Sequence, residues 1–461
     1  MKKNTALLRI SIIVAFIFSL TLSTWAQGNN DTITATKKAE SKKQTTGKIK
    51  KGLNFEGLPI ISFDSDLGLQ LGALGSLFNY GDGSRYPRYN YFIFAEASFY
   101  TRGSSIFMLY YDSDKIIDGI RITANASYIP DLMYAFYGFN GYESTYKANW
   151  IDDSTEIFYR MQRNMTRFML SFQGRFLNDN LKWFFGADYY LLDAKNVNIN
   201  HFNKKRDAGN QIPNEDSLPS LYQRYQDWGL ITPEDRNGGK YTAVKVGLIY
   251  DTRDNEPNPN KGMWSEVVLI GAPKFLSTME SGFSKISIIH RQYFTIIKDN
   301  LTFAYRLGFI ATIGGHTPWY AQNRLYPSFL RTATSEGLGG GGTMRGILRN
   351  RVVGDAMGMG NFEFRWKFFK TVVFNQNIYL ALSGFFDTGR VFVKMEQDKI
   401  DKLPENIKSV YFTDKESFHN SLGAGIHIAI NQNFIVAVDW GKALDERDGT
   451  SGLYIGLNFL F

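Results

Sequence analysis

One arginine and one aspartate of this chain lie in distinctive sequence segments and could form an ion pair. Arg345 follows a glycine-rich run at residues 337–342, and Asp387 lies in the segment 385–389, which reads Phe-Phe-Asp-Thr-Gly. A guanidinium group donates through a rigid planar fork that a carboxylate accepts in a charge-assisted, bidentate pair. Glycine permits the tight turning that the tip of a long, folded-back loop needs. We therefore predict that Arg345 anchors such a loop by pairing with Asp387.

Both segments resemble motifs of one family. Residues 344–347, Met-Arg-Gly-Ile, resemble the [VI]RG[FY] loop motif with a mild departure, and residues 385–389 resemble the F-x-D-x-G strand motif. These are motifs of the BamA/TamA superfamily, the bacterial surface antigen barrels that assemble or translocate proteins at the outer membrane. The residues that carry the resemblance are Met344, Arg345, Gly346, Ile347, Phe385, Asp387 and Gly389.

A turn earlier in the chain resembles a third motif of the same family, D-T-R-D-N followed by P-x-x-G. Its matching residues are Asp251, Arg253, Asp254 and Gly262. Three motifs in the family's order are hard to match by chance, and the resemblance extends roughly from Leu53 to Phe461, with most of its weight after Tyr241. It implies an outer-membrane β-barrel and a pairing of Arg345 with Asp387.

The beginning of the chain reads as a cleavable secretory signal. Lys2, Lys3 and Arg9 precede an apolar run at residues 10–22, and Thr-Trp-Ala at residues 24–26 precedes Gln27, so we predict a signal peptide over residues 1–26. No later stretch reaches 18 apolar residues, which leaves a closed barrel as the way to cross a bilayer. The 37 Phe, 26 Tyr and 43 Gly suit such a barrel, and without cysteine the chain has no disulfides or thiol chemistry.

Residues 27–52 are polar and lysine-rich, with almost nothing to bury, and predict a disordered basic periplasmic tail. The net charge of +8 rests largely on this tail. Its lysines would attract anionic lipid or cell-wall polymer, but a solvated linker is the favoured interpretation. The tail leaves no room for a periplasmic POTRA domain before the barrel, so the resemblance implies a short member of the family.

From Leu53 to Phe461 the dominant signal is alternation with period two, typical of strands with one face in lipid. A soluble sandwich shows the same period, but the strand lengths, the secretion signal and the apolar outward faces favour an all-β fold: a transmembrane antiparallel β-barrel of about 16 strands. Counting back from a periplasmic Phe461, we predict strands at 55–63, 67–79, 90–101, 104–115, 119–129, 155–177, 181–197, 241–251, 262–272, 282–296, 300–314, 356–370, 376–393, 418–430, 433–442 and 452–461.

The alternation also predicts which side chains face the lumen. On the strand at 356–370, Phe364 and Trp366 face lipid, so Glu363 faces inward, as Asp387 does on the next strand. Arg345 is predicted to lie in an external loop at about 315–355 that folds into the lumen. Glu363 is therefore predicted as its second partner. The alternative is that these are ordinary charges lining a wet channel.

No catalytic site is predicted. The chain has no G-x-S-x-G, its glycine run lacks the Lys-Ser/Thr ending of a phosphate-binding loop, and its five histidines are scattered without metal-ligand spacing. We therefore predict a protein that is not an enzyme and has no cofactor or metal, with no nucleic acid as partner.

The predicted function is protein insertion, translocation or membrane biogenesis at the outer membrane of a Gram-negative bacterium. Expected partners are outer-membrane lipids, unfolded outer-membrane or secreted proteins, and separate periplasmic factors. If the family mechanism is kept, a seam between the first and last strands opens and offers an edge to client strands. A passive or selective pore is the alternative, and a structural or adhesive barrel is a third class. Substrate, ion preference and oligomeric state do not follow from the sequence.

Overall fold

The computed structural model describes residues 49–461 except 87, 152–154, 205, 208, 210, 214–218, 257, 323, 325–336, 374–375 and 431–433. The signal peptide predicted over residues 1–26 and the greater part of the tail predicted over 27–52 lie outside the described residues and stay predictions. The last residues of that tail are described: Lys50 pairs with Glu56 of the first strand at 2.9 Å, and the Gly52 N–H donates to the Gly81 carbonyl.

The described chain is built almost wholly of strands. They are β1 (Leu53–Asp64), β2 (Gly68–Asn79), β3 (Tyr91–Tyr100), β4 (Ser105–Ile117), β5 (Ile120–Ala135), β6 (Arg160–Arg175), β7 (Leu181–Lys195), β8 (Gly238–Asp251), β9 (Gly262–Ala272), β10 (Phe283–Ile297), β11 (Leu301–Gly315), β12 (Ala356–Val373), β13 (Gln376–Val393), β14 (His419–Ile430), β15 (Phe434–Ala443) and β16 (Ser451–Leu457). Short α-helices lie in the connections: α1 (Ile199–Asn203), α2 (Leu221–Asp227), α3 (Trp319–Gln322), α4 (Gln397–Asp401) and α5 (Glu405–Tyr411). Within the described ranges, none of the helices has the length and apolar character that a membrane span requires.

The strands form one closed antiparallel barrel in chain order, and β1 completes it by pairing with β16. The predicted fold class and the strand count of about 16 are confirmed. We call the end of the barrel at which β1 begins and β16 ends the first rim, and the opposite end the second rim. The connections at the second rim are mostly long, and among them is the loop at residues 316–355, which we call the long loop.

Side-chain alternation explains why these residues form a membrane wall. On β12, Phe364 and Trp366 are exposed on the outside, whereas Glu363 and Arg365 between them are buried in the interior. A strand with apolar residues outward and polar residues inward is stable only where lipid lies on one side and a polar lumen on the other.

The last strand differs from its prediction. By alternation, the strand predicted at 452–461 would carry Phe459 and Phe461 on the same face as Leu457, but β16 ends at Leu457, and both phenylalanines are buried. Asn458 takes the left-handed conformation (φ 67°) and turns residues 459–461 into the barrel. Here the Arg365 guanidinium donates to the Phe461 carbonyl at 2.8 Å. The prediction for this tail was wrong because Asn458 turns the chain away from the strand and Arg365 binds its end inside the lumen.

Candidate functional site

The tip of the long loop lies inside the barrel. The loop is described at 316–322, 324 and 337–355, and its tip at residues 342–347 is held against the inner wall. The Arg306 guanidinium donates to the carbonyl oxygens of Gly342 and Thr343, and the Asn361 amide donates to the Thr343 carbonyl at 2.7 Å. Because β11 and β12 supply these two donors, the strands that flank the loop also fix its return into the lumen.

Arg345 is the centre of a buried charge cluster. Its side chain is 1 % exposed. The Asp387 carboxylate accepts from the Arg345 backbone N–H (3.0 Å), from Nε (3.0 Å) and from Nη2 (3.2 Å). Nη1 donates to Glu363 at 2.9 Å and to Asp439 at 3.3 Å. The guanidinium carbon also lies 3.4 Å from the ring centroid of Phe385, so three carboxylates and an aromatic face surround one cation.

The structure brings the predicted residues Arg345, Asp387 and Glu363 together, with Glu363 as the second carboxylate. Sequence reasoning missed Asp439 on β15. The signal was available, because Trp440 and Lys442 are exposed on the outside and Asp439 therefore faces inward by alternation. That Arg345, Asp387 and Glu363 anchor the long loop is a proposal, and the Arg345→Ala variant described in the Discussion tests it.

Two motif glycines make room for this tip. Gly346 has φ 91°, and a Cβ there would lie 2.6 Å from the carbonyl carbon of Gly441, so the loop backbone packs directly on β15. A Cβ on Gly389 would lie 2.5 Å from the sulfur of Met344, so the strand motif needs glycine where the loop motif carries its apolar residue. Met344 and Ile347 are both buried. The two motifs are thus complementary parts of one contact.

The third motif forms a separate structure at the first rim. Arg253 pairs with Asp251 through Nε at 2.9 Å and lies over the Trp264 ring, and Asp254 accepts from the backbone N–H of Asn260 and Lys261. Gly262 closes the turn with φ 91°. These residues do not contact Arg345. Pro257, between the two parts of the motif, lies outside the described residues.

The turn at residues 252–261 also contacts the wall four strands further round the barrel. Asn258 donates to the Tyr379 hydroxyl at 2.7 Å, and Asn260 accepts from the Lys367 ammonium at 2.7 Å. Tyr379 lies on β13 and Lys367 on β12, so the turn covers part of the opening at the first rim.

The inward C-terminal tail is linked to the Arg345 cluster. Glu363 accepts from Arg345 through one oxygen and from Arg365 through the other (2.8 Å), and Arg365 holds the Phe461 carbonyl. The rings of Phe459 and Phe461 lie 4.2 Å and 5.0 Å from the Arg365 guanidinium carbon. The long loop and the chain end therefore share one carboxylate.

Arg365→Gln is expected to release the C-terminal tail, because it removes the charge-assisted donor to Phe461. The chain has no cysteine, so Leu460→Cys gives a unique label site, and its maleimide labelling should become at least about tenfold faster in the Arg365→Gln background. Lys367→Gln is the matched control, because Lys367 is the next lumen cation on β12 and bonds Asn260 instead of the tail. Equal rates in all three proteins would show that Arg365 does not hold the tail.

The seam that closes the barrel is short. Only Phe63 and Asp64 of β1 are paired with β16, opposite Ile455 and Tyr454. Serine side chains supplement this pairing: the Ser62 hydroxyl donates to the Ile455 carbonyl, and the Leu453 N–H donates to the Ser65 hydroxyl at 2.6 Å.

The remainder of the β1 edge is open within the described part of the chain. Residues 53–62 of β1 pair with β2 but have no ladder partner on the β16 side. Pro59, in the middle of this edge, has no N–H to offer. Unpaired backbone edges attract other strands, and proline is one of the devices that limit such pairing.

Loops cover the opening at the second rim. Arg351 of the long loop donates to the carbonyl oxygens of Gly141 (2.7 Å), Ser144 (3.1 Å) and Arg447 (2.9 Å), which belong to two other loops. Arg349 of the same loop pairs with Asp131 of β5 at 2.9 Å. The long loop therefore joins the covering loops to the cluster in the lumen.

The long loop also contacts the β1–β2 turn. Asp66 of that turn accepts from the Arg349 backbone N–H at 3.3 Å. Burial, reinforced by the neighbouring Asp64, raises the pKa of the Asp66 carboxyl to about 6, against the lowering effect of Arg349. Asp64 is one of the two β1 residues that pair with β16, so the contact between Asp66 and the long loop lies beside the paired end of the seam.

Comparison with known proteins identifies related sequences and folds. A sequence model of the Omp85 superfamily domain matches residues 119–461. The structure is similar to BamA from Haemophilus ducreyi lacking POTRA domains 1–3, with 15 % identity, a TM-score of 0.51, and coverage of 90 % of this chain and 71 % of that one. It is also similar to CdiB from Escherichia coli, with 11 % identity, a TM-score of 0.52, and coverage of 88 % of this chain and 62 % of that one. No curated protein matches the sequence.

Proposed function

This chain belongs to the Omp85 superfamily, and from that premise we propose that it inserts or translocates polypeptides at the outer membrane by offering the open edge of β1 to a client strand. It is an outer-membrane β-barrel of a Gram-negative bacterium. The proposal assigns it no enzymatic step. We place the first rim at the periplasm, where clients and separate periplasmic factors would arrive.

The observation that carries the proposal is the seam. Two paired residues join β1 to β16, while residues 53–62, ten positions of β1, have no ladder partner on the β16 side among the described residues. A backbone edge at membrane depth needs partners, because lipid offers no hydrogen bonds. An incoming extended segment satisfies such an edge by adding a strand to it.

The inward tail supports the same proposal. If residues 458–461 continued β16 in the register of the seam, they would face residues 57–60 in the middle of β1 and lengthen the seam. Arg365 and the lumen aromatics hold them away from that position. The tail therefore keeps the edge of β1 available, and its release would compete with a client for that edge.

The occupied lumen weighs against a passive pore. The tip of the long loop and the C-terminal tail lie within the barrel, the turn at 252–261 covers part of its opening at the first rim, and Arg351 joins the loops at the second rim. We therefore do not propose a pore, but the experiments below would detect one.

A photoreactive phenylalanine analogue at position 55 tests the edge directly. Phe55 lies on the open edge of β1, where it is 74 % exposed and pairs only with Leu77 of β2. We expect it to crosslink an unfolded outer-membrane barrel during insertion into liposomes. The matched control is Phe168, 53 % exposed on the outside of β6, because that strand is paired on both sides, with β5 and β7.

Two outcomes would overturn the proposal. One is equal crosslinking from positions 55 and 168, which would mean that the client does not recognise the edge. The other is a protein that does not accelerate client insertion but does show single-channel conductance, which would favour the pore.

A further inference from the structure

An apolar groove runs along the outside of the barrel near the second rim, over β11, β12 and β13. Its volume is about 280 Å³. Gly358 and Gly360 face outward on β12 and leave its floor without side chains. The walls are mainly Leu307, Phe309, Phe362, Phe392 and Phe418. A groove of this composition on the lipid-facing surface accepts a hydrocarbon chain.

An arginine lies beside this groove on the same outward face. Arg390 of β13 is directly opposite Gly358 in the strand register, and its guanidinium carbon is 5.4 Å from the ring centroid of Phe418, which lines the groove. Arg390 is half-buried, and its Nε is shielded from solvent with no hydrogen-bond partner among the described residues. No described carboxylate forms an ion pair with it.

A cation on the lipid-facing wall needs an anion. Charged residues at such positions destabilise a barrel unless they reach the head-group region, and the position of Arg390 near the second rim places it within reach of that region. The phosphate of a lipid accepts two parallel hydrogen bonds from a guanidinium. The same molecule would lay an acyl chain along the adjacent groove.

We propose that this surface is a binding site for one anionic lipid with a phosphate-bearing head group, whose phosphate pairs with Arg390 and whose acyl chain lies over Gly358 and Gly360. The site lies on the other face of β12 and β13 from the Arg345 cluster and is nearer the second rim, because Arg390 follows Asp387 along β13 toward that rim. It is independent of the proposed client edge at β1.

Native mass spectrometry of the full-length protein in detergent tests the site. The probes are phosphatidylglycerol and phosphatidylethanolamine with identical chains, because they differ in head-group charge. We expect the wild type to bind one phosphatidylglycerol about tenfold more tightly than phosphatidylethanolamine. Arg390→Gln should lower phosphatidylglycerol binding to the level of the other lipid. Lys274→Gln removes an exposed cation at the same rim and should change nothing.

A second pair of variants tests the groove. Gly360→Leu fills the floor and should weaken both lipids, whereas Gly384→Leu adds the same side chain at an outward position of β13 with open space around it. Heat-modifiable migration on gels confirms that each variant is folded. The proposal is wrong if the wild type shows no head-group preference, if Arg390→Gln keeps that preference, or if Gly384→Leu weakens binding as much as Gly360→Leu.

Discussion

Arg345→Ala is expected to free the tip of the long loop and to destabilise the barrel by roughly 3–5 kcal/mol, because breaking a buried ion pair leaves uncompensated charge. Asp387 would lose its two guanidinium hydrogen bonds, and Glu363 and Asp439 would each lose one. Trypsin added at the second rim should then cut after Arg349 and Arg351, which are buried in the native loop. The urea midpoint in detergent should fall in parallel.

Two matched variants separate the cluster from a general loss of charge. Arg345→Lys keeps the cation but not the fork and should fall between wild type and Arg345→Ala. Arg447→Ala removes a cation that pairs with Asp414 and Asp445 at the partly exposed second rim and should cost less than about 1 kcal/mol. If Arg345→Ala and Arg447→Ala are cut at the same rate, Arg345 does not anchor the loop.

The second large effect is expected at the seam. Phe63 and Ile455 are directly opposite each other across β1 and β16, so Phe63→Cys with Ile455→Cys places the only two cysteines of the chain across the closure. Oxidation should lock the seam and abolish client insertion, and reduction should restore it. Conductance, if there is any, should be unaffected, because it runs through the lumen.

The control for this crosslink is a cysteine pair elsewhere in the wall. Phe168→Cys with Tyr189→Cys joins β6 to β7 at another directly opposed pair. That crosslink should leave insertion unchanged, because those strands have no reason to separate. Insertion that persists through an oxidised seam would contradict the proposed mechanism.

The strand count and the inward position of Glu363 could be predicted because alternation is a local signal repeated along every strand. On β12 each outward aromatic residue fixes the direction of its neighbours, so the inward direction of Glu363 follows from spacing alone. Asp439 obeys the same rule beside Trp440 and was within reach of it. The pairing of Arg345 with Asp387, by contrast, was implied by the motif resemblance.

The C-terminal tail could not be predicted in this way. The alternation of Leu457, Phe459 and Phe461 continues without interruption, so the local pattern places all three on one lipid face. What redirects the chain is one left-handed residue, Asn458, and a cation on β12, nearly a hundred residues earlier. Arg365 reaches the tail only because the barrel is closed, so the spacing of residues within the tail gives no signal of this contact.

The short seam also sets an energy scale for opening. Separating two paired residues and the contacts of Ser62 and Ser65 breaks only a handful of hydrogen bonds, each worth about 0.5–1.5 kcal/mol net. A gap of a few kcal/mol leaves an open minor state at roughly 0.1–10 % of the population. Thermal motion alone would then expose the whole edge of β1, and a client that pairs along residues 53–62 would gain more ladder bonds than the opening breaks. The direction of the process would come from the client's own folding, without any external energy source.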